Sequence, residues 1–210
     1  MPRPTKQAPE RGDARSRLLE AARDVIRQKG FTATTVDDLC KAAGVTKGAY
    51  FHHFDSKEAL GVAVANYWSE TTGALFENAP YHRPANPLDR VLAYIDFRKS
   101  LIAGDLAEFT CLVGTMAQET YISHPAIRDA CAASILGHAE TLEADIAAAM
   151  DARALTPGWT PKDLAHHIQA VIQGAFILAK ATDSPASAQS SLDHLSRYIR
   201  LLLAAPRPKV

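Results

Sequence analysis

Between Thr34 and Phe54 the chain gathers side chains suited to reading a polyanion rather than to breaking a bond. Thr46, Lys47, Gly48, Tyr50 and His52 fall on or near what would be the exposed side of a short helix, with Ala49 and Phe54 turned inward. Lys47 can donate to the O6 and N7 edge of guanine, and Thr46 or Tyr50 can meet a thymine methyl or a phosphate. A glycine inside a helix costs about 1 kcal/mol against alanine, so Gly48 needs an offset, and close approach to a DNA backbone or base edge supplies one. Other reactive residue types form no comparable group. His52-His53 and His166-His167 are adjacent pairs, and neighbours on a helix point about 100° apart, which does not suit one shared ion. His82, His124, His138 and His194 are scattered, so no metal is expected and no cofactor is implied. The sequence has no P-loop, GxGxxG, HExxH or Ser-His-Asp order, and nothing in it argues for an enzyme.

The reading face needs a scaffold, and the flanking residues describe one. Val36, Leu39, Cys40 and Ala43 recur at helical spacing as one buried face. Thr35 is placed to cap that helix with Asp38 as its partner three residues on. Gly44 supplies a left-handed stop, Val45 folds back onto Cys40, and Thr46 caps the second, shorter helix. Two helices about a tight glycine turn make a helix-turn-helix, whose second helix enters a major groove. Residues 14–29 form a preceding helix with Leu19, Ala22 and Ile26 inward, and Arg15, Ser16 and Arg17 at its start could contact phosphate. Ser56 caps the following helix with Glu58 in its first turn; Lys57 opposes the helix dipole there, as a nearby phosphate would favour.

The segments Gly-Phe-Thr-Ala-Thr-Thr-Val-Asp-Asp-Leu (30–39) and Ala-Gly-Val-Thr-Lys-Gly-Ala-Tyr-Phe-His-His-Phe-Asp-Ser-Lys-Glu-Ala-Leu (43–60) resemble the signature of TetR-type transcriptional regulators. The strong match runs over residues 14–60. The resemblance implies phosphate contacts from Thr35 and Lys57, a homodimer, and a small-molecule effector held in a helical body. It also carries one departure. The family usually has Tyr where this chain has Phe51, and that hydroxyl reaches a phosphate; here the Tyr stands one place earlier, at Tyr50. Farther on, Phe109–Glu119 resembles a branch of the family that includes electrophile- and oxidant-responsive repressors, with Cys111 at the position of their cysteine. No general base or cluster of positive charge adjoins Cys111 in sequence, so the plain reading of it is a small buried apolar residue.

Beyond residue 60 only helical periodicity appears. The fourth helix continues through Val62, Ala65 and Trp68 to about Asn78, and a Pro-rich break spans 79–87. Leu88 to Ile102 mark a fifth helix and Phe109 to Met116 a sixth. A seventh, opened by Ser123-His124-Pro125 and striped by Ile127 through Met150, would run about 27 residues and about 40 Å. The eighth opens at Thr160-Pro161, and the ninth carries Leu192, Leu195, Ile199 and Leu202. The expected fold is all-α with about nine helices: a disordered basic arm over 1–13, a DNA-binding head over 14–60 and an effector-binding and dimerisation body over 61–210. Arg3, Lys6 and Arg11 of the arm could touch phosphates or a minor groove.

Trp68, Phe97, Phe109, Cys111, Met116, His138 and Gln173, with Phe76, Tyr94 and Tyr121, are candidate linings for a cavity among helices four to eight. Helices eight and nine have the broadest apolar faces, and Ala170, Gly174 and Ala175 permit close helix approach, which suits a homodimer. Composition agrees. Apolar residues make up 47% and charged ones 22%, ordinary for a globular chain. Zero net charge hides a polarity: residues 1–60 hold eleven Lys/Arg against eight Asp/Glu, and the remainder twelve against fifteen. Three cysteines without a CxxC argue for a reducing compartment, and the absence of a signal-peptide pattern or an apolar run of eighteen residues argues for a cytoplasmic protein without membrane partners. The expected partners are double-stranded operator DNA, an effector and a second copy of the chain. The expected function is a repressor released from a palindromic operator by a small molecule. The alternatives are a switch through Cys111 chemistry and an enzyme with a vestigial helix-turn-helix.

Overall fold

The computed structural model describes residues 13–156 and 158–204, and these hold helices and turns with no strand. In chain order the helices are α1 (Ala14–Lys29), α2 (Val36–Ala43), α3 (Lys47–His53), α4 (Lys57–Glu77), α5 (Pro87–Ser100), α6 (Leu106–Phe109), α7 (Leu112–Thr120), α8 (Pro125–Glu140), α9 (Glu143–Asp151), α10 (Pro161–Thr182) and α11 (Pro185–Leu202). The expected arm, with Arg3, Lys6 and Arg11, lies outside the described residues apart from Asp13, and so does Pro157 in the loop before α10.

The head forms by capping as expected. The Thr35 hydroxyl accepts from the Asp38 N–H while the Asp38 carboxylate takes the Thr35 N–H, a complete capping box. Gly44 closes α2 at φ 63°, ψ 41°, and the Val45 N–H reaches Cys40 O at 3.0 Å. Thr46 and Ser56 cap α3 and α4 through the N–H groups of Ala49 and Ala59.

Two segments depart from the expected helices. The single long helix over 125–150 is two, α8 and α9. At the join the Leu142 N–H closes on Ala139 O at 3.0 Å and the Thr141 hydroxyl on His138 O at 2.8 Å. These three-residue closures tighten the turn while the apolar stripe runs on, so periodicity alone hides the break. Cys111 is not inside a helix either. Thr110 and Cys111 adopt extended ψ of 153° and 121°, the Thr110 hydroxyl closes α6 on Leu106 O at 2.7 Å, and Cys111 becomes the N-cap of α7.

The core has two parts. One packs α5, α9, α10 and α11 around Leu92, Ile95, Ile168, Ile172 and Leu195. The other joins head and body. Leu18, Ile26, Phe31, Leu39, Tyr50 and Leu60 share a continuous cluster with Leu112, Val113 and Met116 of α7 and Ile127 and Cys131 of α8. Helix α4 runs along both parts, about 31 Å for its 21 residues. Among the described residues no helix is long and apolar enough to cross a membrane.

Candidate DNA-reading face and effector cavity

On α3 the residues alternate between solvent and core with the helical repeat. Thr46, Lys47, Gly48 and His52 are exposed. Lys47 pairs with Asp37 of α2 at 2.7 Å, both ends in solvent, where a pair contributes little and is readily exchanged for a phosphate. A Cβ built on Gly48 would meet nothing nearer than Thr46 Oγ1 at 3.8 Å, so nothing inside the molecule requires glycine there.

Tyr50 does not belong to the exposed face. It is 0% exposed, while Phe51 is 53% exposed. Tyr50 and Phe54 are four residues apart and share the inward side, whereas Phe51 is rotated by about 100° out of it. The Tyr50 hydroxyl donates to Ser56 O at 3.2 Å, and burial pushes its pKa up to about 12. The Tyr in this register therefore ties α3 to the cap of α4 and presents no hydroxyl on the exposed side of that helix.

Thr35 and Lys57 lie beside this face with partners of their own. The Thr35 hydroxyl is held by Asp38 at 2.7 Å. Lys57 is half-buried, donates to Thr32 O at 3.2 Å and stands 4.5 Å from the Phe31 ring centroid; burial lowers its pKa. Arg17 turns inward to hold the helix-turn-helix bend, donating to Ala43 O and Gly44 O at 3.2 and 3.3 Å. The His52 and His53 rings sit edge to face with centroids 5.0 Å apart, and no group of three or more potential metal ligands occurs among the described residues.

A cavity of about 470 Å³ opens between α4, α5, α8 and α10, closed toward the head by α1, α6 and α7. Trp68, Phe109, Cys111, His138 and Gln173 line it together, as does Phe76. Met116 does not line it. It is 0% exposed, buried in the cluster joining head and body. Phe97 also falls outside, stacking edge-on against Phe76 at 5.4 Å behind the wall, and Tyr121 is exposed on the surface.

Polar groups are fixed into the apolar lining. Gln169 donates to the Tyr94 hydroxyl at 2.9 Å, and that hydroxyl shares a hydrogen bond of 2.9 Å with His138 Nε2. Burial first and Arg98 second push the His138 pKa down to about 4, which favours the neutral imidazole. Sequence periodicity gave no sign of the arginines in this wall. Arg27 reaches it from α1, donating from Nε to Thr110 O at 3.1 Å with its guanidinium 5.0 Å from the Trp68 ring centroid; burial lowers its pKa. In sequence Arg27 is merely a cation in the last turn of a helix, and only tertiary packing brings it 83 residues across to Thr110.

Cys111 stands between this cavity and a smaller cleft of about 210 Å³ that contains Thr115 and Lys180. Its Sγ accepts from the Gly114 N–H at 3.4 Å, and Lys180 donates to Thr115 Oγ1 at 2.7 Å. Cys131 and Cys40 are buried in the cluster joining head and body, and burial pushes the Cys131 thiol up to about 12.

A capped helix-turn-helix on a helical body defines the class of DNA-binding transcriptional regulators. The chain belongs to the TetR family. Residues 18–64 match the model for bacterial regulatory proteins of the tetR family, and residues 87–195 match the tetracyclin repressor-like C-terminal domain. It is similar to the HTH-type transcriptional repressor NemR of Escherichia coli K12, 28% identical over 192 residues that cover 89% of this chain and 94% of NemR. It is 28% identical to the transcriptional regulator AcuR of Cereibacter sphaeroides over 134 residues, 64% of this chain and 59% of AcuR. The reduced form of E. coli NemR superposes with a TM-score of 0.74 at 27% identity, covering 92% of this chain and all of NemR's solved chain (100%). A TetR regulator from Chloroflexus aurantiacus shares the fold with a TM-score of 0.78 at 24% identity, over 89% of this chain and 94% of its own.

Proposed function

We propose that the chain is a dimeric repressor whose helix α3 reads a palindromic operator and whose cavity binds a small-molecule effector that releases it. Residues 14–60 do the reading, and the remainder senses and dimerises. The observation that carries this reading is Arg27: a residue of the head forms part of the wall of the body's cavity, bound to Thr110 and stacked on Trp68. An occupant that moves Trp68 or Arg27 acts on α1 directly. A second route runs along α4, which carries Trp68 and Phe76 in the cavity wall and begins at Ser56, where Tyr50 holds α3. A coupling of about 1–3 kcal/mol through these contacts changes operator affinity about five- to 150-fold.

Thr46, Lys47, Gly48 and His52 form the reading face with Phe51 beside them, and Thr35 and Lys57 flank it for phosphate contact. The dimer forms through α10 and α11, the eighth and ninth helices expected from sequence. Ile177, Leu178, Tyr198 and Leu201 are exposed there, and a Cβ on Gly174 would meet open space. Two heads about 34 Å apart then address successive turns of one groove. The test is binding of the purified protein to its own promoter fragment, whose affinity falls with salt by about 0.9 log units per log unit for each phosphate contact. Lys47→Ala should weaken that binding, and Arg27→Ala should leave binding intact while reducing release by effector. If Lys47→Ala and Gly48 substitutions bind as the parent does, α3 is not the reader.

The position of Cys111 favours a second reading, in which alkylation or oxidation of its thiol releases DNA. Its sulfur accepts from the Gly114 N–H in the first turn of α7, and the residue borders two openings, the cavity and the smaller cleft. Iodoacetamide should then release the operator from the parent and from a Cys40→Ser, Cys131→Ser variant, and not from Cys111→Ser.

A further inference from the structure

Three guanidinium groups and one carboxylate face the cavity, and their partners differ. Arg23 is paired with Asp24 at 2.7 Å. Glu108 is spent as the cap of α6, accepting from the Asp105 N–H at 2.8 Å. Arg27 is bound through Nε to Thr110. Arg98 alone of these has no hydrogen bond or ion pair among the described residues, although it is half-buried. Its guanidinium rests 5.1 Å from the Phe76 ring centroid and 5.7 Å from that of Phe176. Those rings attract its charge, but they satisfy none of its five N–H donors. His138, whose charge burial and Arg98 oppose, is kept neutral and brings no counter-charge.

We propose that the cavity's occupant is an organic carboxylate with a flat apolar body, its carboxylate paired on Arg98 and its body laid between Trp68, Phe109 and Phe176. The planar fork of a guanidinium matches two carboxylate oxygens in parallel, and such charged bonds are the strong ones in a half-desolvated site. A neutral apolar ligand would leave Arg98 without a partner when water is displaced, which costs affinity. A cation would meet Arg98 and Arg27 with no free carboxylate opposite. The apolar walls and the size of about 470 Å³ suit a body of one or two rings. This assignment rests on the cavity being the effector site.

Naphthalene-2-carboxylate and naphthalene-2-carboxamide share shape and differ in charge, and they are the probes. Binding to the full-length protein is read by quenching of Trp68 emission, with Trp68→Phe as the control that locates the signal. The carboxylate should bind about ten- to a hundredfold more tightly than the carboxamide. Arg98→Gln should bring the carboxylate down to the carboxamide's affinity, and Arg98→Lys, which keeps the charge and loses the fork, should retain part of the preference. The melting temperature of each variant shows whether it is folded; if Arg98→Gln is not, the partial loss in Arg98→Lys decides. Equal affinity of the two probes, or an unchanged preference in the variants, overturns the carboxylate assignment and leaves the cavity as the sensor. Absence of quenching by both overturns the assignment and the cavity reading together.

Discussion

Gly48 occupies the second position of a seven-residue helix with open space where a side chain would stand. Alanine there should stabilise the isolated fold by about 1 kcal/mol. It should also weaken operator binding by about the 1–3 kcal/mol that overfilling a close-packed contact costs. Thermal melts and gel-shift titrations of Gly48→Ala would show the two effects with opposite signs. Phe51 offers the converse case: it is exposed, beside the proposed reading face, and one hydroxyl short of a phosphate donor. Phe51→Tyr should tighten operator binding by about two- to tenfold, the net value of one hydrogen bond, with no change in melting temperature. His138 sets an acid limit. Its pKa falls from an ordinary 6.5 to about 4 on folding, because burial and Arg98 oppose its charge, so the unfolded chain binds the extra proton. Its contribution is fully present above about pH 6.5 and is lost as pH falls toward 4; urea titrations should show a shallower acid slope in His138→Gln. Residue identity alone marked Thr46, Lys47 and Gly48 as exposed, but not which of two adjacent aromatics faces water. Tyr50 and Phe51 differ by a single oxygen, and the choice depends on the bond to Ser56, six residues on.

Among the helices, caps were the most legible signal because their physics is local. Thr35, Thr46, Ser56 and Thr160 each accept the N–H three residues ahead, as their residue types require. The division of α8 from α9 was not legible, since Ala139, Leu142 and Ile146 keep the buried stripe unbroken across the turn. Nor was the close seam between α4 and α8. A Cβ on Gly61 would come within 2.6 Å of Ile127 Cδ1 and 2.9 Å of Phe31 Cε2. Gly61→Ala should therefore cost about 1–3 kcal/mol of stability through forced repacking, against the gain in helix propensity that an exposed site would show. Denaturant titration measures it directly, and Gly73→Ala on the same helix, where nothing lies within 4 Å, is the control.

For the whole molecule, the all-helical architecture and the order of head before body followed from periodicity, whereas the cavity's composition did not. Five of the seven residues proposed for its lining converge there. Phe97 and Met116 fail because an apolar residue on a helix stripe has more than one core to join, and the spacing is the same for each. The polar wall of Arg27, Arg98 and Gln169 comes from three different helices and has no linear signature. Assembly is the property most dependent on surfaces still open in one chain. Leu201 is 79% exposed on α11. Leu201→Asp together with Leu178→Asp should shift the protein to monomer in sedimentation and lower operator affinity by two or more orders of magnitude, since a single head contributes only half of the phosphate contacts.

The apolar cluster spanning head and body has a consequence for exchange of parts. Leu112, Val113, Met116, Ile127 and Cys131 complete the packing around Leu18, Ile26 and Leu60, so the helix-turn-helix head has no separate surface along that seam. A chimera that transplants only the first sixty residues onto another sensor inherits half an interior. Retargeting such a protein to new sequences would have to carry the seam along, or confine its changes to the outward side chains of a single short helix.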